Sequence, residues 1–114
     1  VFLQDMPTIS KALIRVMMCS TGQILQFEKN EILIGKDTSC DMIWTQPYIS
    51  RMHLKIIRNE DQSYSVRDLN STNGTYVVDV EQNNADWKRI PPGSECTVQQ
   101  GARIRVGSSE IQIL

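Results

Sequence analysis

Three short segments combine small hydroxyl, amide and cationic side chains in a way that suits the binding of an anion. They cover residues 34–41, 48–53 and 68–75. Each lies between runs with the pattern of β-strands, so each is expected in a loop at a strand end. Hydroxyl and amide groups give neutral hydrogen bonds to a phosphate oxygen, and Lys or Arg gives charge-assisted ones. The three segments together predict a phosphate-binding rim.

The first two segments each contain a cation in a suitable setting. Ser50 directly precedes Arg51, so one phosphate could accept a neutral and a charge-assisted hydrogen bond from adjacent residues. Lys36 follows Gly35 at a strand end and could add a point charge to a phosphoryl oxygen. Taken alone, Ser50 is also compatible with an ordinary loop serine, and Lys36 with a solvated surface charge.

The third segment contains Asn73-Gly74, a pair typical of tight hairpin turns because both residues tolerate positive φ. A turn alone would need few polar neighbours. Here four of the five residues from position 71 to 75 have polar side chains, which favours a binding role in addition to the turn. These residues are Ser71, Thr72, Asn73 and Thr75.

His53 is the single histidine of the sequence and begins an apolar strand, which favours a buried, hydrogen-bonded structural role. A catalytic histidine would need a nucleophile and a third group that orients it, and no motif connects Asp37, Asp41 or Asp68 to His53. One histidine with scattered acids also does not match known metal-ligand spacings. The glycines form no nucleotide-binding loop. We therefore expect no catalytic residue, no metal and no cofactor.

The composition limits the class of protein. The 114 residues, with 40% hydrophobic and 22% charged residues, suit one domain with a hydrophobic core. A net charge of −1 predicts no attraction to nucleic acid or to a membrane, so the anion site must be local. No apolar run approaches a membrane-spanning length, and no signal-peptide pattern is present. Because Cys19, Cys40 and Cys96 are odd in number and widely separated, we expect free thiols in a reducing compartment, the nucleus or the cytoplasm.

The pattern of apolar residues has a period close to two, and no long helix is indicated. Short runs recur at intervals of roughly 8–12 residues, which predicts an all-β antiparallel sandwich or barrel of about ten or eleven strands. Residues 1–11 are expected to be a linker or frayed segment and residues 12–114 the folded domain. Residues 79–89 form the one long polar connection, which Trp87 is expected to fold back on the sandwich. The predicted strands cover 12–18, 23–28, 31–34, 41–44, 53–58, 64–69, 75–78, 95–98, 102–106 and 110–114.

The ordered set Gly35-Lys36, Ser50-Arg51-Met52-His53 and residues 68–75 resembles the forkhead-associated (FHA) domain. Residues 100–107 resemble the closing strand-turn-strand of that family, so the resemblance covers roughly residues 13–114. It implies an eleven-stranded β-sandwich whose loops at one end bind a phosphothreonine in an extended peptide.

The resemblance also implies individual roles. The phosphopeptide-binding residues would be Lys36, Ser50, Arg51, Thr72 and Asn73. Of these, Ser50 and Thr72 would donate to phosphate oxygens, and Asn73 would hold the backbone of the ligand.

Four further residues have implied roles around the site. Gly35, His53 and Gly74 would shape the loops without touching the ligand. Tyr48 would help select the residue three places after the phosphothreonine. The family usually has Arg where Lys36 stands, and Lys loses the planar bidentate fork of Arg. A second departure, Gly101-Ala102 in place of Gly-Asp, falls far from the rim.

The predicted function is phosphothreonine-dependent recognition, without catalysis, by a monomeric domain of a larger signalling protein such as a checkpoint-type kinase or another nuclear factor. A dimer through phosphorylated Thr8 is also possible. One alternative is a degenerate scaffold of the same fold that binds a partner independently of phosphate, which Lys36 would favour. The other is a phosphoester hydrolase, for which the sequence offers no clear metal site or general base.

Overall fold

The computed structural model describes residues 13–79 and 86–114. The predicted linker 1–11 and Thr8 lie outside the described residues, as do residues 80–85 of the long connection. The described residues form eleven strands and no helix. The strands are β1 Ile14–Met18, β2 Ile24–Phe27, β3 Glu31–Gly35, β4 Met42–Ile43, β5 Leu54–Arg58, β6 Tyr64–Asp68, β7 Thr75–Val78, β8 Lys88–Ile90, β9 Glu95–Val98, β10 Arg103–Val106 and β11 Ser109–Ile113.

The strands pair into two sheets, which confirms the predicted β-sandwich. One sheet has six strands in the order β2-β1-β11-β10-β7-β8, and the other has five in the order β4-β3-β5-β6-β9. All pairs are antiparallel except β3–β4, which is parallel, so the five-stranded sheet is mixed. Among the described residues no helix is long and apolar enough to cross a membrane.

The core lies between the two sheets because apolar residues alternate with polar ones along the strands. In β1, Ile14 and Val16 are fully buried while Arg15 between them is exposed. In β10, Ile104 and Val106 are fully buried and the intervening Arg105 is half-buried. Burying one such aliphatic side chain stabilises the fold by about 1.5–3 kcal/mol relative to leaving it exposed. This core fixes the strand ends from which the loops project.

Strand β8 was not predicted, because its first two residues fell within the polar connection 79–89. Of its three residues only Ile90 is buried, so the segment has no usable apolar periodicity. It forms because its backbone pairs with that of Thr75, Tyr76 and Val77 at the edge of β7. Trp87, just before β8, is half-buried and lies against the outer face of the six-stranded sheet.

Three loops meet at one end of the sandwich. The end of β3, the start of β5 and the end of β6 are neighbours, because Ile34 pairs with Leu54 and Leu54 pairs with Asp68. The loops leaving these strand ends cover residues 36–41, 44–53 and 69–74. They correspond to the three polar segments of the sequence, and we call this end the rim.

Candidate functional site

The first two loops of the rim are hydrogen-bonded to each other through their backbones. The N–H of Lys36 donates to the carbonyl of Ser50, and the N–H of Asp37 to the carbonyl of Arg51, both at 3.0 Å. This approach requires glycine at position 35, since a Cβ there would lie 2.1 Å from the carbonyl oxygen of Arg51. The backbone contact brings the cation of Lys36 to the same loop edge as Ser50 and Arg51.

His53 joins the second loop to the third. Its side chain is fully buried. Nδ1 accepts a hydrogen bond from the N–H of Ser50 at 2.9 Å, so Nε2 has the proton and donates to the carbonyl of Gly74 at 3.1 Å. Burial lowers the pKa of His53 and outweighs the bond to Gly74 and the charge of Asp68, which favour the protonated form. The ring is therefore a neutral connection between the loops.

Asp68 organises the third loop from inside. Its buried carboxylate accepts hydrogen bonds from the N–H of Ser71 at 3.0 Å, the hydroxyl of Ser71 at 2.5 Å and the hydroxyl of Thr75 at 2.7 Å. The Ser71 hydroxyl in turn accepts from the N–H of Gly74. Burial acts to raise the pKa of Asp68, but the hydrogen bonds from Ser71 and Thr75 outweigh it, and the pKa lies below its ordinary value. The turn is thus fixed around an ionised carboxylate.

This arrangement directs Thr72 and Asn73 outward, where both are exposed. The N–H of Thr72 donates to Oγ of Ser50 at 3.1 Å, and Nδ2 of Asn73 donates to the carbonyl of Tyr48 at 2.8 Å. Ser50 Oγ therefore acts as an acceptor within the rim, and its hydroxyl hydrogen has no acceptor among the described residues. The Oδ1 of Asn73 likewise accepts no hydrogen bond from that part of the chain. Both groups are positioned to bind a ligand.

The rim has two cations, Lys36 and Arg51, and two acidic residues, Asp37 and Asp41. Lys36 and Arg51 are exposed, and Arg51 forms a 3.6 Å ion pair with Asp37. The pKa of Asp37 is lowered chiefly by its hydrogen bonds from Ser39, and Arg51 contributes less. A long ion pair in which the Arg51 side chain is 81% exposed contributes little to stability. Arg51 can therefore exchange this contact for a more highly charged anion.

Tyr48 is held at the rim by the turn between β10 and β11. Its ring packs on Gly107, where a Cβ would lie 2.4 Å from Cδ1 of the ring. Its hydroxyl lies 3.2 Å from Oγ of Ser108 and 2.5 Å from Oγ of Ser109. These contacts with Ser108 and Ser109 lower the pKa of the Tyr48 hydroxyl. The backbone carbonyl of Tyr48 accepts the hydrogen bond from Asn73, and the side chain of Tyr48 is held by the β10–β11 turn.

All the residues assigned to phosphopeptide binding line one shallow surface depression, together with Tyr48. Gly35, His53 and Gly74 lie behind it, where they join the loops. The lining residues are Lys36, Pro47, Tyr48, Ile49, Ser50, Arg51, Thr72 and Asn73.

Three residues that support this site, Ser71, Thr75 and Gly107, were not assigned that role from the sequence. Ser71 and Thr75 were grouped with Thr72 and Asn73, but they are buried and face Asp68. An Asp three residues before a Ser is a turn signal that could have separated the two pairs. The contact of Gly107 with Tyr48 could not be predicted from the sequence, because the two residues are far apart along the chain.

The geometry agrees with a known family of domains. The family model described as FHA domain matches residues 32–107, which include every rim residue named above. The chain belongs to the FHA domain family. The predicted resemblance is thereby confirmed.

Among curated relatives, this FHA domain is 39% identical over 84 residues to the FHA domain-containing protein PS1 of Arabidopsis thaliana. It is 30% identical over 90 residues to the E3 ubiquitin-protein ligase rnf8 of Danio rerio. The alignments cover 72% and 71% of this chain but only 5% and 16% of those proteins. The relatives are thus far longer than the domain they share with this chain.

Solved structures agree with the fold. The FhaA FHA domain, complexed with the intracellular domain of Rv3910, is 30% identical and superimposes with a TM-score of 0.67 over 89% of this chain and 99% of that one. The N-terminal FHA domain of Rad53p from S. cerevisiae, in complex with a phosphothreonine peptide, gives a TM-score of 0.70 at 20% identity, over 89% and 91% of the two chains.

Proposed function

We propose that this FHA domain recognises phosphothreonine in an extended peptide of a partner protein, as a module of a larger signalling protein. The observation that carries the proposal is the depression at the rim, where two cations, two hydroxyls and one amide converge on a space large enough for a phosphate. They are Lys36, Ser50, Arg51, Thr72 and Asn73. The phosphothreonine peptide bound by the Rad53p domain supports the same ligand class.

The phosphate has a charge of about −1.5 to −2 at neutral pH and three acceptor oxygens. The hydroxyls of Ser50 and Thr72 donate to these oxygens, and Lys36 and Arg51 provide charge-assisted contacts. The rim is hydrogen-bonded before the ligand arrives, so little conformational entropy is lost in the domain on binding. Without the phosphate, the two cations gain no partner, and binding is weak.

Asn73 orients the peptide. Its Nδ2 is already engaged by Tyr48, so its Oδ1 accepts from a backbone N–H of the ligand. Tyr48 lines the same depression, and its ring contacts the residue three places after the phosphothreonine.

The rim binds rather than hydrolyses the phosphate ester. A hydrolytic mechanism that uses the protein as a general base would need an accessible base beside the phosphate. His53 is fully buried, and both ring nitrogens are engaged by Ser50 and Gly74. The carboxylate of Asp37 is held by Ser39 and Arg51, and its lowered pKa makes it a weak base. The proposed activity is therefore recognition alone.

The thiols support a proposal about the compartment of the domain. Cys19, Cys40 and Cys96 are free, and burial raises the pKa of each. Protonated thiols that are buried or partly buried are weak nucleophiles. We place the domain in a reducing compartment, the nucleus or the cytoplasm, where it acts as a monomer.

The test is fluorescence-polarisation binding to an oriented phosphothreonine peptide library, with phosphoserine and unphosphorylated peptides as controls. We expect micromolar affinity for phosphothreonine and a loss of roughly 10- to 100-fold in Ser50→Ala, the range for a hydrogen bond to a charged group. Ser20→Ala, which changes an exposed turn serine outside the depression, should bind like the wild type. The library also reports the preference at the third position.

A phosphate-independent scaffold is the second candidate function, because Lys36 stands where the family usually has Arg. This candidate predicts that a partner protein remains bound after phosphatase treatment. A folded domain that binds no phosphopeptide would favour this candidate and overturn the proposed one.

A further inference from the structure

The outer face of the six-stranded sheet has a cluster of arginines and aromatic rings. The register places Arg89 of β8, Tyr76 of β7 and Arg105 of β10 in one row across three strands. Arg103 lies two residues earlier on β10 and therefore on the same face. Trp87 completes the cluster. We call Tyr76, Trp87, Arg89, Arg103 and Arg105 the arginine–aromatic face.

The rings hold the guanidinium groups against the sheet. The Cζ of Arg105 lies 4.6 Å from the centroid of Trp87 and 5.4 Å from that of Tyr76. Arg103 lies 5.5 Å from the Trp87 centroid, and Arg89 lies 6.0 Å from that of Tyr76. A guanidinium stacked on a ring keeps its N–H edges available for hydrogen bonds to other groups. The face therefore presents donors whose positions are already restricted.

The charge of this face is not balanced within the described part of the chain. Glu110 pairs with Arg103 at 3.6 Å, while Arg89 and Arg105 have no carboxylate within ion-pair distance among residues 13–79 and 86–114. By contrast, the whole sequence has a net charge of −1. The positive charge is thus concentrated locally, which suits an acidic partner.

The arginine–aromatic face adjoins the rim at two places. A Cβ at Gly74 would lie 3.0 Å from Nε of Arg89, so this arginine borders the third loop. On the other side, Gly107 packs on the ring of Tyr48, two residues after Arg105. Tyr76 follows Asn73 by three residues, so their Cα atoms lie at most about 10 Å apart. A peptide held at the rim can reach the face within a few residues.

We propose that the arginine–aromatic face binds an acidic segment that flanks the phosphothreonine in the same ligand. This inference rests on the proposed function and adds the chemistry of the ligand beyond the phosphothreonine. Carboxylates of the flanking Asp or Glu residues pair with Arg89 and Arg105, whose positions the rings restrict. The phosphate fixes the ligand at the rim, so the second contact is intramolecular and needs little affinity of its own.

The test uses phosphothreonine peptides of equal length with a neutral flank, a run of glutamates before the phosphothreonine, or a run of glutamates after it. One of the acidic peptides should bind about fivefold more tightly than the neutral one, as expected for two exposed ion pairs. In the double variant Arg89→Gln, Arg105→Gln this gain should disappear, while binding of the neutral phosphopeptide stays unchanged. The control Lys55→Gln, Arg67→Gln makes the same charge change on the other sheet and should keep the gain.

The wild-type domain offers a second measurement that does not depend on the folding of a variant. Raising NaCl from about 50 mM to about 500 mM should reduce the difference between the acidic and neutral phosphopeptides to near zero. Equal affinity of all three phosphopeptides at low salt would overturn the inference and leave the proposed function intact. So would an acidic gain that survives in the arginine variant. A domain that binds no phosphopeptide would overturn both.

Discussion

The side-chain amide of Asn73 donates a 2.8 Å hydrogen bond to the backbone carbonyl of Tyr48, and so joins two loops of the rim without any ligand. The same side chain is the one whose free oxygen faces the proposed peptide. One residue therefore both supports the site and contributes to it. This explains why an amide suits the position better than a carboxylate, which could not donate to Tyr48.

Replacing Lys36 by Arg should strengthen binding of a phosphothreonine peptide by about two- to tenfold, because a planar guanidinium can form two parallel hydrogen bonds to one phosphate. Titration calorimetry measures the change. Lys55→Arg, which alters a lysine paired with Glu31 on a sheet face, serves as the control. Unchanged or weaker binding in the rim variant would mean that Lys36 does not contact the phosphate.

The stability of the domain should fall as the pH is lowered below about 6.5, the ordinary pKa of histidine. The folded state lowers the pKa of His53, so between that lower value and 6.5 the unfolded state binds more protons. The free energy of unfolding then decreases by up to about 1.4 kcal/mol for each pH unit. Urea denaturation at several pH values measures this slope.

The matched variant for this experiment is His53→Gln, which cannot titrate. It should be less stable than the wild type at neutral pH and show a smaller slope between pH 6.5 and the lowered pKa of His53. The pKa of Asp68 is also lowered in the folded state. The contribution of Asp68 to stability is therefore lost only at more acidic pH, below the ordinary pKa of 3.8. Identical slopes near pH 6 in both proteins would contradict the assignment to His53.

Asp68→Ala should destabilise the fold by about 3–5 kcal/mol, because it leaves the N–H and hydroxyl of Ser71 and the hydroxyl of Thr75 without their buried partner. Chemical denaturation gives this value. Asp61→Ala is a suitable comparison, since Asp61 accepts equivalent bonds from Ser63 in an exposed turn. A loss at Asp68 no larger than at Asp61 would mean that the buried network is unimportant.

Gly35→Ala should destabilise the domain by about 1–3 kcal/mol and also weaken peptide binding, since the new Cβ would displace the backbone of Arg51. Thermal unfolding and fluorescence polarisation measure the two effects. Gly22→Ala separates them: Gly22 has φ of +78° but open space around it, so only the conformational cost applies and affinity should remain. Full affinity in Gly35→Ala would exclude the loop contact as a determinant of the site.

The apolar periodicity of the sequence was sufficient to predict ten of the eleven strands, and the residues assigned to the predicted rim line one depression. Lys36, Ser50 and Thr72 lie together because each follows or precedes a strand end, and strand ends are visible as changes in apolar periodicity. The orientations within the third loop were not predictable from residue type. Ser71 and Thr72 are both small hydroxyl residues, and only the position of the Asp68 carboxylate turns one inward.

The arginine–aromatic face was not predicted, for a different reason. Tyr76 and Arg105 become neighbours only through the pairing of β7 with β10, and Arg89 through the short strand β8. Local periodicity carries no information on which strands pair across a sheet. A surface formed by neighbours on different strands can therefore be identified only from the structure.

The contact of Tyr48 with Ser109 joins residues 61 positions apart in sequence, and so links the rim to the last strand of the fold. During synthesis, a chain that has already produced Lys36, Ser50 and Asn73 still lacks the hairpin that supports Tyr48. A partly synthesised domain therefore contains the residues proposed to bind phosphate but not their arrangement. We therefore expect the proposed recognition of a phosphorylated partner to begin only after the final hairpin has been synthesised.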